Sequence, residues 1–332
     1  MRALDKVRDM AGEVVVTESP RESKQVDQSL LTVLVAFLAN LLIAIAKSVA
    51  AAITASASML AEAAHSWADA GNEILLLIAD RRSDRGRDSG HPMGFGREAY
   101  VWSMFAAFGL FTAGAVVSIW HGIQELLKPE EASNYLVAYV VLAIAFVLEG
   151  VSFIQAMTQA RRMAAVRDRS VPSFVLNTSN PTLRAVVAED AAALIGIAIA
   201  TAGIALHQIT GSVIPDAIGS ILVGVLLGIV AVVLIDRNRR FLVGETVTSE
   251  VRQKVLRNLL DRPDIDRITY LHLEYVGPDR LYLVASIDMA GDDVEHDLAV
   301  RLRQVERELE EHEAIEEAVL TLATPDEVSL TP

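Results

Sequence analysis

Apolar residues along this chain come in blocks of about 20, the length an α-helix needs to cross a hydrocarbon layer of about 30 Å. Six such blocks can be read: Leu30–Ile53, Ser56–Ala79, Ala99–Ile119, Tyr135–Met157, Leu183–Leu206 and Ile214–Ile235. After Gly244 the pattern changes. "SEVRQKVLRNLLDRP" repeats its apolar residues at helical spacing, and "IDRITYLHLEYVG" and "DRLYLVASIDM" alternate as strands on either side of a Gly-Pro-Asp-Arg turn. "VEHDLAVRLRQVERELEEHE" follows as an amphipathic helix and "AIEEAVLTLAT" as a last strand. The expected architecture is a polytopic α-helical membrane protein with six transmembrane helices over residues 29–240. A small αββαβ, ferredoxin-like α+β domain over 245–325 follows, with helices on one face of its sheet.

Composition agrees with that reading. Of 332 residues, 52% are hydrophobic, more than most soluble chains carry. Cysteine is absent, which removes disulfides, thiolate metal sites and cysteine nucleophiles together. Residues 1–28 are charged and lack an apolar core of signal-peptide length, so they are expected to form a polar tail rather than a cleaved address. The net charge is −14, and from Glu245 onward 21 acidic residues face 9 basic ones. So acidic a terminal domain argues against a nucleic-acid partner and suits one that attracts cations.

Arginine sets the orientation. The link between the second and third blocks carries Arg81, Arg82, Arg85, Arg87 and Arg97, and the link between the fourth and fifth carries Arg161, Arg162, Arg167 and Arg169. "KPEEASN" has one lysine and "HQITGSVIPDA" no basic residue beyond its histidine. Both termini are therefore expected in the cytoplasm, and the composition suits a prokaryotic inner membrane.

The second block breaks its own pattern. "AEAAHSWADAGNE" sets Glu62, His65, Asp69 and Glu73 three and four residues apart, on one helical stripe. An ionisable group deep in a bilayer costs roughly 2.5–3.5 kcal/mol on insertion scales, so something must offset four of them. His65 and Asp69, one turn apart, can both reach an ion about 2 Å from each ligand atom. The fifth block offers Glu189 and Asp190 as partners. Imidazole and carboxylates favour a borderline ion such as Zn²⁺ and also accept Mn²⁺, Fe²⁺, Co²⁺ or Cd²⁺. Hydrogen bonding among helix-packing polar residues is the competing explanation. Asn40, Lys47, Glu149 and Asp216 are further intramembrane polar residues that could line a path, satisfy backbone groups or, for Lys47 and Asp216, snorkel from a span end.

"HSWAD", "GHPMGFGREAYVW", "PDAIGSILVGVLL" and the terminal αββαβ order together resemble the cation diffusion facilitator transporters. "GNEILLL" and "EDAAAL" are most similar to the zinc transporter nine-like branch. The resemblance implies a homodimer with six transmembrane helices per subunit, a zinc site between the second and fifth, and export against inward proton movement. It assigns His65 and Asp69 to the second-helix ligand pair and Asp190 to the second position of the fifth-helix pair. Its first position is Val186 here, where many members have His or Asp. Glu189, about 100° around the helix from Asp190, is one substitute; Glu62 or water are others.

Metal binds deprotonated ligands, so protons and metal compete for such a site, and alternating access would couple them. The metal enters this scheme as transported substrate, not as cofactor. Two other readings stay open: a metal-sensing or scaffold membrane protein with a degenerate site, and an intramembrane metal-dependent hydrolase, for which no HExxH or GxSxG pattern is present. In the loop, His91 is a candidate ligand and Arg97 with Glu98 a candidate ion pair. In the terminal domain His272, Asp288, His296 and His312 are candidates without a tight spacing.

Overall fold

The computed structural model describes residues 20–129, 134–166 and 169–331. Helix α1 (Pro20–Thr54) begins within the segment expected as a polar tail, and the rest of that tail lies outside the described residues. A two-residue turn, with Ala55 at φ 53°, reverses the chain into α2 (Ala57–Ser83). Ser56 caps α2 by accepting the Met59 backbone N–H at 3.2 Å. Helix α3 (Glu98–Leu127) is π-helical over Ala107–Phe111 and α-helical on either side. Then come α4 (Tyr135–Val166), the short α5 (Val171–Asn177), α6 (Pro181–Thr210) and α7 (Ile214–Val243). Helix α6 starts with Asn180 accepting from Leu183 N–H and Pro181 in its first turn, and ends at Gly211 with φ 68°.

Five of these helices, α1, α3, α4, α6 and α7, are long and apolar enough to cross a membrane. Helix α2 is long enough, but Glu62, Asp69, Glu73 and Asp80 lower its hydropathy. It compensates by position. It packs against α1, α3, α6 and α7, and Glu62, His65 and Asp69 of its polar stripe are buried among them. Apolar side chains such as Leu42, Phe108, Trp120, Ile154 and Val232 are left on the outside of the surrounding helices, as lipid contact requires.

The terminal region follows the expected order: α8 (Ser249–Leu260), β1 (Ile265–Gly277), β2 (Arg280–Met289), α9 (Glu295–Glu310) and β3 (Ile315–Leu322). β2 is central, antiparallel to β1 and parallel to β3. Its alternate residues Leu281, Leu283, Ala285, Ile287 and Met289 are buried in one cluster with Leu256 and Leu259 of α8 and Val305 of α9.

This small sheet is held against the loop between α2 and α3. Arg97 Nη2 donates to Glu274 Oε1 at 2.5 Å and Arg87 Nε to Glu316 Oε1 at 2.9 Å; within the sheet, Arg280 Nη1 of β2 donates to the other oxygen of Glu316, Oε2, at 3.1 Å. The anticipated Arg97–Glu98 pair is therefore replaced: Arg97 reaches the sheet, while Glu98 accepts from Trp102 at 2.8 Å. Gly96 and Gly277 meet backbone to backbone, so that a Cβ on Gly96 would lie 2.6 Å from the Val276 carbonyl oxygen. Gly96→Ala is expected to cost about 1–3 kcal/mol by overpacking this contact. Gly86→Ala, where an added Cβ meets nothing within 4 Å, should leave stability unchanged. Thermal unfolding of the detergent-solubilised protein compares the two.

Candidate functional site

The stripe on α2 turns inward. Glu62, His65 and Asp69 are all buried, with His65 at 1% exposure. His65 Nδ1 is 3.6 Å from Asp69 Oδ1, too far for a hydrogen bond. Neither ring nitrogen of His65 has a hydrogen-bond partner, and neither do Asp69 Oδ1, Glu62 Oε1 and Glu73 Oε2. Buried polar atoms are ordinarily paired, and leaving one unpaired costs about 1–3 kcal/mol. A helix face carrying several such atoms suits a ligand that accepts their lone pairs.

Helix α6 supplies the opposite wall. The Glu189 and Asp69 carboxyl groups abut at hydrogen-bonding range, and Asn72 Nδ2 donates to Glu189 Oε2 at 2.5 Å. Asp190 points elsewhere on the helix and accepts from Ser152 of α4 at 2.9 Å. Glu149, one turn before Ser152, lies within electrostatic reach of Asp69, Glu73 and Asp190. Carboxyl groups gathered this closely need a proton or a cation between them. Among the described residues, no three His, Asp or Glu side chains converge on one point closely enough to hold an ion.

Two residues that could have snorkelled do not. Lys47 is fully buried, its Nζ donating to Glu62 Oε2 at 2.9 Å, because α1 runs on to Thr54 and carries Lys47 well inside the bundle. Asp216 at the start of α7 is buried too, and it caps α2. Its carboxylate accepts from Ser56 Oγ at 3.0 Å, Ala57 N–H at 3.0 Å and Ser58 N–H at 3.2 Å. A carboxylate on the first-turn donors is favoured by the helix dipole, and it fixes the end of α2 opposite the sheet.

The remaining candidates are spread out. His91 Nδ1 pairs with Asp88 Oδ1 at 3.0 Å, and this contact holds the Asp88 carboxyl below its usual range. His272 lies 3.5 Å from Glu274, Asp288 accepts from Arg267 at 2.8 Å, and His312 accepts from the Ala314 N–H at 3.2 Å. His296 is exposed on α9.

Comparison with known proteins adds to this geometry. The model of the cation efflux transmembrane domain matches residues 33–243. The chain belongs to the cation efflux family. Metal tolerance protein C4 of Arabidopsis thaliana is 36% identical over 236 residues, covering 71% of this chain and 52% of that protein. The mitochondrial proton-coupled zinc antiporter SLC30A9 of Homo sapiens is 34% identical over 259 residues, 78% of this chain and 46% of the human protein. The chain thus spans about half the length of these two relatives. The magnetosome protein MamB of Paramagnetospirillum magneticum is 21% identical over 244 residues, 74% and 77% of the two chains. The family is one of transporters rather than enzymes, and the zinc antiporter matches fit the branch resemblance read from "GNEILLL" and "EDAAAL".

In this cation efflux protein α2 packs against α6, with the Glu189 carboxyl beside that of Asp69, His65 one turn away from Asp69 on α2, and Asp190 turned to Ser152 of α4. Val186, one turn before Asp190, packs where two apolar clusters meet, one with Leu76 and Ala185, the other with Leu183 and Val187. Glu149, in the sequence one of several intramembrane polar residues that could line a path, lies near these carboxyls. Its signal was a lone acid within the apolar run "FVLEGVSF". Asp216→Ala should destabilise the α2 start by about 2 kcal/mol, since buried donors lose a charged acceptor. Hydrogen–deuterium exchange across residues 56–60 should rise accordingly, with Asp216→Asn intermediate.

Proposed function

We propose that this protein exports a divalent cation, Zn²⁺ foremost, in exchange for protons. The site proposed for the ion lies between α2 and α6, with His65, Asp69, Glu189 and Asp190 as ligands. The observation that carries this reading is the unpartnered pair of His65 ring nitrogens beside the abutting Asp69 and Glu189 carboxyls. A dication between them would satisfy all three groups at once, and imidazole with carboxylate oxygens is a donor set that zinc accepts. Movement of α2 against α6, with Asp190 released from Ser152, would close the ligands on the ion. The human relative is named a proton-coupled zinc antiporter, and that activity is carried to this chain as part of the proposal.

On this reading α2 is a sixth crossing, screened from lipid by its neighbours. Both termini lie on the arginine-rich, cytoplasmic side, and the composition supports a prokaryotic inner membrane. The αββαβ region serves as a ferredoxin-like regulatory and dimerising domain of a homodimer. Its links through Arg87 and Arg97 run to the loop that ends α2, so sheet and ion site would move together.

Metal and proton compete for the same lone pairs, so loading should be accompanied by proton release. In proteoliposomes with an imposed proton gradient, wild-type protein should take up radiolabelled zinc. His65→Ala and Asp69→Asn should each reduce that flux to the level of empty vesicles. Wild-type rates in both variants would refute the assignment, and no flux in wild type would favour the sensor or scaffold reading.

A further inference from the structure

Lys47 is the anomaly of the bundle. A fully buried lysine on α1 donates to Glu62 Oε2 at 2.9 Å, both side chains at 0% exposure. Its charge also reaches Glu149 and Asp69. The second oxygen, Glu62 Oε1, has no partner and lies against Gly196 of α6, where an added Cβ would sit 2.5 Å from it. Gly196 is six residues beyond Asp190, about 9 Å along the helix axis. The Glu62 carboxylate is therefore held toward the Ser56 end of α2, away from the level at which Asp69 and Glu189 meet. What holds it there is the ammonium.

An ammonium has three donors and no lone pair, so it can neutralise a carboxylate without ever joining a coordination sphere. We propose that Lys47 is a specificity-determining residue that withholds Glu62 from the transported ion. The inference rests on the metal site proposed above. With Lys47 in place the ion meets one imidazole and the carboxylates of Asp69, Glu189 and Asp190. Without it, Glu62 is free to swing toward His65, one turn away on the same face, and add an anionic oxygen. Zn²⁺ is already satisfied by four nitrogen and oxygen ligands. Mn²⁺ is the harder ion, prefers more oxygens, and gains more from the addition. Lys47 thereby sets the balance against manganese.

Gly196 has a part in the same arrangement. With no side chain on α6 at that point, Glu62 can rest beside the helix backbone, paired with Lys47 and clear of the ion.

The test uses the full chain, purified in detergent and stripped of metal with chelator, and reads Zn²⁺ and Mn²⁺ binding by isothermal titration calorimetry. Three proteins are compared: wild type, Lys47→Met, and the double variant Lys47→Met with Glu62→Gln. The double variant removes one charge of each sign, and replacing a buried ion pair by neutral groups is often tolerated. It should bind both metals within about threefold of wild type, because neither residue is a ligand. Lys47→Met should gain at least about tenfold more affinity for Mn²⁺ than for Zn²⁺. An unchanged Mn²⁺-to-Zn²⁺ ratio in Lys47→Met overturns the proposal. So does a loss of zinc affinity of about tenfold or more in the double variant, which would make Glu62 a ligand and which decides alone if Lys47→Met does not fold. Wild-type protein that binds no zinc refutes the metal site itself, a result distinct from either of these.

Discussion

Everything in the bundle is arranged around mutual repulsion of carboxylates in a place with little water to screen them. Asp69 and Glu189 abut, and Glu149 sits within reach of Asp69, Asp190 and Glu73. Like charges this close are tolerated only with a proton or a cation among them. The Lys47 ammonium is a fixed cation beside this group, and it pairs with Glu62. The rest of the group keeps unpartnered oxygens and an unpartnered imidazole. That imbalance is costly for a structure, and on the proposed reading it favours the arrival of a dication.

The surrounding architecture holds both ends of the helix that carries the group. At one end Asp216 accepts three hydrogen bonds from the first residues of α2 and their cap. At the other, the α2–α3 loop is tied to the terminal sheet by Arg87 and Arg97 and by the Gly96–Gly277 contact. A second connection runs from α6. Arg184, buried and hydrogen-bonded to the Thr178 carbonyl and to Asn238, stacks over Phe241, which contacts Tyr100 and, edge-on, Tyr275 of β1. Both helices that carry the group are therefore mechanically continuous with the sheet.

Much of this was legible in the residue order. Hydropathy blocks marked the long helices, because lipid-facing and core-facing positions are both apolar and the signal is contiguous. Period-two alternation marked the strands, and the Gly-Pro-Asp-Arg turn marked the hairpin. The His65–Asp69 spacing singled out the face of α2, and its burial comes from the helices packed around it. Partnerships across helices were not legible. Nothing local says that Lys47 meets Glu62, that Asp216 caps α2, that Ser152 meets Asp190, or that Arg97 passes over Glu98 to reach Glu274. Each depends on which helices are neighbours and at what rotation. The π-helical turn at Ala107–Phe111 was likewise invisible, since "AFGLF" reads as ordinary apolar helix.

The central claim is that a dication, not a network of internal hydrogen bonds, is what the buried imidazole and carboxyls are built to receive. Anomalous difference density collected at the zinc absorption edge, from crystals grown with zinc, tests it most directly. A single strong peak between α2 and α6, within about 2–2.3 Å of His65 and of carboxylate oxygens from Asp69 and α6, is the predicted result. Density confined to the terminal domain, with His65 and Asp69 bonded only to protein groups, would contradict it.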